Sequence, residues 1–121
     1  MGFPLSFSHL LKGVTKLRIA GRSMEPTLQD GEITLVRLGA AGGSLFSRPI
    51  RPGDILWIQH PLRSDTSIVK RLHSIGPDGQ LYVRGDNPDE SSDSRTFGSV
   101  PPTKVRGRLF ARLQNEEAPD S

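Results

Sequence analysis

A serine in a forced turn and a lysine on an apolar strand face are the side chains in this sequence best suited to chemistry. Ser23 stands in Gly21-Arg22-Ser23-Met24-Glu25-Pro26-Thr27-Leu28, with a glycine two residues before it and a proline three after. A turn shaped by those two residues exposes the hydroxyl and aims backbone N–H groups at one point, which suits a nucleophile beside an oxyanion site. The serine-hydrolase elbow Gly-x-Ser-x-Gly is not matched, because Glu25 takes the place of its second glycine. Taken alone, Ser23 also reads as a plain strand-to-turn serine. Lys70 lies in Ser67-Ile68-Val69-Lys70-Arg71-Leu72-His73. Strand side chains alternate, so Ile68, Lys70 and Leu72 share the expected core face, while Val69, Arg71 and His73 share the other. An ammonium between two apolar neighbours loses hydration and its pKa falls. A fall of ~2–3 units from the usual 10.4 would cost about 3–4 kcal/mol and leave a usable base at neutral pH. Arginine cannot do this, because it does not deprotonate in proteins. The strand by itself also allows a lysine whose stem lies on apolar surface while its head reaches water.

Composition removes the competing chemistries. The 121 residues are enough for one core and too few for two. There is no cysteine, so thiolate nucleophiles, disulfides and thiolate metal sites are excluded. The histidines are His9, His60 and His73, too few for a His-dominated metal site; no metal or cofactor is expected. The 16 basic residues divide into twelve arginines and four lysines, and Lys70 is the only lysine between Arg18 and Thr103. The arginines are scattered, with no run of three, and read as a solvated surface with no nucleic-acid partner.

The elements that must position Ser23 and Lys70 are short strands. Apolar and polar residues alternate over 16–20, 32–38, 54–60, 66–75, 80–84 and 104–113, separated by turn formers such as Gly76-Pro77-Asp78-Gly79. The expected fold is mainly β, a single domain of short antiparallel strands. Two long loops, Gly39 to Pro52 and Gly85 to Thr96, exceed what a connection needs. Residues 1–15 read as an N-terminal extension, 16–113 as the domain and 114–121 as an acidic disordered tail. No segment reaches the ~20 apolar residues needed to span a bilayer, and no secretory signal is evident. The expected location is therefore cytoplasmic, with apolar residues among 3–14 compatible with weak peripheral membrane contact.

Gly21-x-Ser23-Met24-x-Pro26-Thr27-Leu28, Gly53-Asp54-Ile55, Val69-Lys70-Arg71, Gly85-Asp86-Asn87 and Ser91-x-Asp93-Ser94-Arg95-x-x-Gly98-x-Val100-Pro101 occur in the order and approximate spacing of the signal peptidase I family. The resemblance covers about Ile19 to Arg108. It implies a compact signal-peptidase-like or LexA-like β fold and a Ser–Lys dyad endopeptidase. Carried onto this chain, it makes Ser23 the nucleophile, with its backbone N–H holding the oxyanion, and Lys70 the general base. Ser91 would orient the lysine, and Asp93 and Arg95 would brace the polar loop. Some members add a serine hydroxyl two positions before the nucleophile; here that position is Gly21, which leaves the second donor unassigned. The expected partner is a precursor protein or peptide bound extended beside the strand bearing Lys70. Among short members the chain is most similar to nickel-type superoxide dismutase maturation proteases, and its polar loop also resembles mitochondrial inner membrane peptidases. Two other readings stand beside this one. A LexA/UmuD-like self-cleaving domain shares Ser-Met and Val-Lys-Arg, and a non-catalytic basic β module would use the scattered arginines.

Overall fold

Alternation of apolar and polar side chains produces six strands close to the predicted positions. The computed structural model describes residues 13–39, 48–90 and 92–113. The strands are β1 (Val14–Arg18), β2 (Ile33–Leu38), β3 (Ile55–Gln59), β4 (Ser67–Ile75), β5 (Leu81–Arg84) and β6 (Val105–Arg112). One helical turn, α1 (Ser94–Phe97), and two short 3-10 turns, Pro88–Glu90 and Pro102–Lys104, occupy the connections after β5. The mainly β expectation is borne out. The first strand begins two residues earlier than predicted and ends at Arg18, because Ile19 already bonds across to the closing turn, donating to Glu32 and accepting from Gly31. The loop expected over 39–52 is described only at its ends, and the extension before Gly13 and the tail after Leu113 lie outside the described residues.

The sheet order is β1-β2-β6-β3-β4-β5, every neighbouring pair antiparallel. Gly76-Pro77-Asp78-Gly79 closes the β4–β5 hairpin, with the Gly76 amide donating to Gln80 and the Gly79 amide to Gly76. Both faces of the sheet are covered, which differs from the one-sided core that alternation alone suggests. On one face Leu56, Ile58, Leu72, Leu81, Val83, Val100 and Val105 form the larger cluster. On the other, Ile19, Met24 and Leu28 fold down from the β1–β2 connection onto Ile55, Val69 and Leu109. Val69, assigned to the outer face by its parity, is therefore half-buried.

β6 is central, and its approach to β2 leaves no room for a side chain at Gly107. A Cβ there would overlap Val36 Cγ1 and stand 2.8 Å from the Arg37 carbonyl oxygen. Gly107→Ala should lower stability by about 1–3 kcal/mol through overpacking. The reading is a lower urea midpoint at unchanged m-value; an unmoved midpoint would show that β2 and β6 can separate freely.

Candidate active site

Ser23 is half-buried in the turn that follows β1, and its neighbour anchors that turn. Met24 is 1% exposed and Leu28 3%, so the segment is pinned to the second face of the sheet by two buried side chains. Within it Leu28 donates to the Met24 carbonyl at 2.9 Å, and the Gly21 amide donates to Asp30 Oδ1 at 2.7 Å. Gly21 has φ +93°, where an L side chain is strained. A serine at that position would need the backbone to change.

Polar ties connect this turn to the strand bearing Lys70. The Ser23 carbonyl accepts from the Asn87 amide at 2.8 Å, and the Arg22 carbonyl from Asn87 Nδ2 at 3.0 Å. Thr27 Oγ1 donates to Asp86 Oδ2 at 2.5 Å, while Arg71 grips the same carboxylate through Nε at 2.9 Å and Nη2 at 2.7 Å. Arg71, and then Thr27, hold the Asp86 carboxyl below its usual pKa against partial burial. One carboxylate thus joins the Ser23 turn, the loop leaving β5, and the residue next to Lys70. Sequence reasoning noted the Gly85-Asp86-Asn87 motif but gave Asp86 no role. The available signal was an arginine beside the candidate base that needed a counter-ion.

Lys70 is 4% exposed. It lies opposite Leu56 on β3 and two residues from buried Leu72. Desolvation lowers its pKa, and the charge of Asp93 partly opposes that fall. Asp93 is itself buried at the N-cap of α1, accepting from the Arg95 backbone amide at 3.0 Å, Arg95 Nε at 3.1 Å and Nη2 at 2.8 Å. Beyond meeting Arg95, Asp93 acts on Lys70 electrostatically, an influence the sequence reading did not foresee. Ser91 lies outside the described residues. His73 is exposed, at an irregularity of the β4–β5 ladder. His60, given no role from sequence, packs its ring 4.8 Å from Phe97. Burial favours its neutral form, as do the charges of Arg63 and Lys70. Among the described residues no three His, Asp or Glu side chains are grouped to hold a metal ion.

The Arg95 hydrogen bonds hold the Asp93 carboxyl down at about 2, against an ordinary 3.8. A depressed carboxylate contributes stability above its unfolded pKa and loses it as pH falls through the folded value. Between pH 4 and 2 the protein should therefore lose about 1–2 kcal/mol from this group, since the half-exposed Arg95 partner is screened by solvent. Comparing acid unfolding of wild type and Asp93→Asn tests this; parallel curves across that interval would remove Asp93 from the account.

β4 has one stretch of edge with no strand partner among the described residues. Along Ser67–Arg71 it pairs with β3, whereas β5 pairs only with Arg71–Ile75. Leu72 exchanges hydrogen bonds with Gly53 and Asp54 on the β3 side, so by alternation the backbone groups of Ser67 and Val69 point the other way. No strand among the described residues pairs there. The outer side of β5 is occupied instead: its Val83 amide donates to Ser94 Oγ, and Leu81 bridges to Val100.

The family model described as signal peptidase, peptidase S26, matches residues 7–78 and 73–114. The chain belongs to this family. Mitochondrial inner membrane protease subunit 1 of Homo sapiens is 31% identical over 113 residues, covering 78% of this chain and 66% of the human protein. Subunit 2 of the Danio rerio protease is 31% identical over 108 residues, 75% of this chain and 59% of that protein. Signal peptidase I of Aquifex aeolicus is 40% identical over 43 residues, 36% of this chain and 17% of that protein. The chain thus spans slightly less than two-thirds of the human relative. These S26 relatives overturn the cytoplasmic location expected from sequence, since the mitochondrial ones are inner-membrane proteases. That expectation rested on the lack of a spanning segment, but a protein can be held at a membrane without a spanning helix of its own. No helix among the described residues is long and apolar enough to cross a membrane, and this does not fix a location. The same relatives lend no support to a specific kinship with nickel-type superoxide dismutase maturation proteases.

Proposed function

We propose that this S26 member is a serine endopeptidase that removes a leader from a precursor protein, with Ser23 as nucleophile and Lys70 as general base. The observation that carries the reading is a lysine 4% exposed, its ammonium disfavoured by desolvation, on a strand tied through Asp86 to the Ser23 turn. A precursor segment lies along the outer edge of β4, taking main-chain hydrogen bonds from Ser67 and Val69 as an added strand does. Ser23 Oγ attacks the scissile carbonyl while neutral Lys70 accepts its proton, and the Ser23 backbone N–H donates to the oxyanion. Collapse of the tetrahedral intermediate expels the amine, which takes the proton back from Lys70. A water then gives a proton to Lys70 and attacks the ester; collapse expels Ser23 Oγ, which takes that proton back and leaves Lys70 neutral. Ser91 orients the Lys70 amine, and Asp93 with Arg95 braces the loop that carries it.

By analogy with the mitochondrial relatives, the cut is made at a membrane surface. A nickel superoxide dismutase precursor is the narrower substrate suggested by sequence resemblance alone. Purified protein incubated with that precursor, and separately with leader-bearing precursors of inner-membrane proteins, should yield one new N-terminus by product sequencing. A cut that persists with Ser23→Ala, or no cut in any precursor, would overturn the peptidase reading.

A further inference from the structure

Three arginines border an open cleft of about 490 Å³ where β4 and β5 meet the loop after β5. The volume is within the roughly 300–1,000 Å³ usual for a ligand site. Arg71 and Arg84 face each other across the β4–β5 register, and Arg95 enters from α1. Their charges are not equally met. Arg71 is paired with Asp86, which also lines the cleft, and Arg95 with Asp93. Arg84 is exposed and makes no ion pair among the described residues.

We propose that this cleft is a specificity subsite for an acidic side chain of the substrate, with the Arg84 guanidinium as its principal ligand. The proposal rests on the peptidase reading for its placement. The outward backbone groups of β4, at Ser67 and Val69, stop just short of the cleft, which begins at Arg71. Asp86 belongs at once to the cleft wall and to the tie that holds the Ser23 turn. A peptide crossing between Ser23 and Lys70 therefore passes the cleft within a few residues of the cut. The planar guanidinium forms paired hydrogen bonds to a carboxylate. A peptide fits better than a lipid headgroup, since the exposed apolar side chains Leu62 and Tyr82 do not line the cleft, and Leu72, which does, is 1% exposed.

The test uses the full chain carrying Ser23→Ala, so that binding is read without cleavage. Fluorescein-labelled alanine-based decapeptides with one Glu at successive positions are compared by anisotropy with the matching Gln series. Glu at one favoured position should bind at least ~10-fold tighter than Gln, the yield of one charge-assisted pair. Adding Arg84→Ala should erase the difference, and adding Arg84→Glu should transfer the preference to Lys at that position. Equal affinity for Glu and Gln everywhere, or a Glu preference indifferent to Arg84, would overturn the proposal. So would Arg84-dependent binding of phosphatidylglycerol vesicles without an Arg84-dependent peptide preference. An Arg84-dependent Glu preference in a protein whose wild type cuts no precursor would sustain the subsite and sink the peptidase reading.

Discussion

Lys70→Ala is expected to lower kcat/KM for precursor cleavage by roughly 10³–10⁶-fold, and Ser23→Ala by a comparable factor, because the proposed mechanism joins the two in one proton-transfer step. Combining the substitutions should cost little more than either alone. Retained activity in Lys70→Ala would remove the amine from the mechanism. The pH profile supplies a second reading. Burial lowers the Lys70 pKa and only the neutral amine accepts a proton, so kcat/KM should rise with pH to a midpoint well below the ordinary lysine value. Asp93 opposes the shift, and Asp93→Asn should move that midpoint further down. The same burial has an opposite effect on stability. The unfolded chain binds this proton more tightly than the folded one, so Lys70 costs stability at neutral pH, and the cost fades as pH rises toward the unfolded pKa. Lys70→Met should therefore be inactive yet unfold no more easily than wild type, separating loss of chemistry from loss of fold.

Asp86→Ala is expected to lower kcat by about 10²-fold, the scale of a misplacement near 1 Å in a catalytic constellation. The substitution cuts the link from Thr27 to Arg71 and leaves a guanidinium beside Lys70 without its counter-ion. Because Asp86 touches no reacting atom, the loss should fall on kcat with the acidic limb of the pH profile also displaced. A Tm decrease with normal kcat in the surviving folded protein would reduce Asp86 to an ordinary stabilising contact. Thr27→Val removes one donor and leaves the Arg71 pair in place, so its effect should be smaller.

The strands were legible because alternation and Gly-Pro-Asp-Gly are local signals, each read within a few residues. Ser23 and Lys70 stood out for the same reason, one by its turn and the other by its apolar neighbours. What escaped depends on distance along the chain. Asp86 meets Thr27 across 59 residues and Arg71 across 15, and nothing in either local pattern announces the other. The second covered face was missed because Val69 packs against the cluster of Ile19, Met24 and Leu28, which arrives from another connection. The expected location failed for a different reason: it was drawn from an absence, and an absent span carries no address.

The place of β6 in the sheet governs when the two halves of the candidate site can be aligned. It is the last of the six strands in the chain, yet it lies between β2 and β3. Until it is inserted, the β1–β2 pair bearing the Ser23 turn and the β3–β4–β5 unit bearing Lys70 have no backbone ladder between them. Each also presents an unpaired edge to solvent. Pairings of such long sequence separation form late and slowly. A chain emerging from the ribosome therefore carries both halves of its site for the whole of their synthesis without a completed sheet to align them. Alignment of the Ser23 turn with the strand bearing Lys70 arrives with the closing strand, so under the proposed mechanism cleavage cannot precede it.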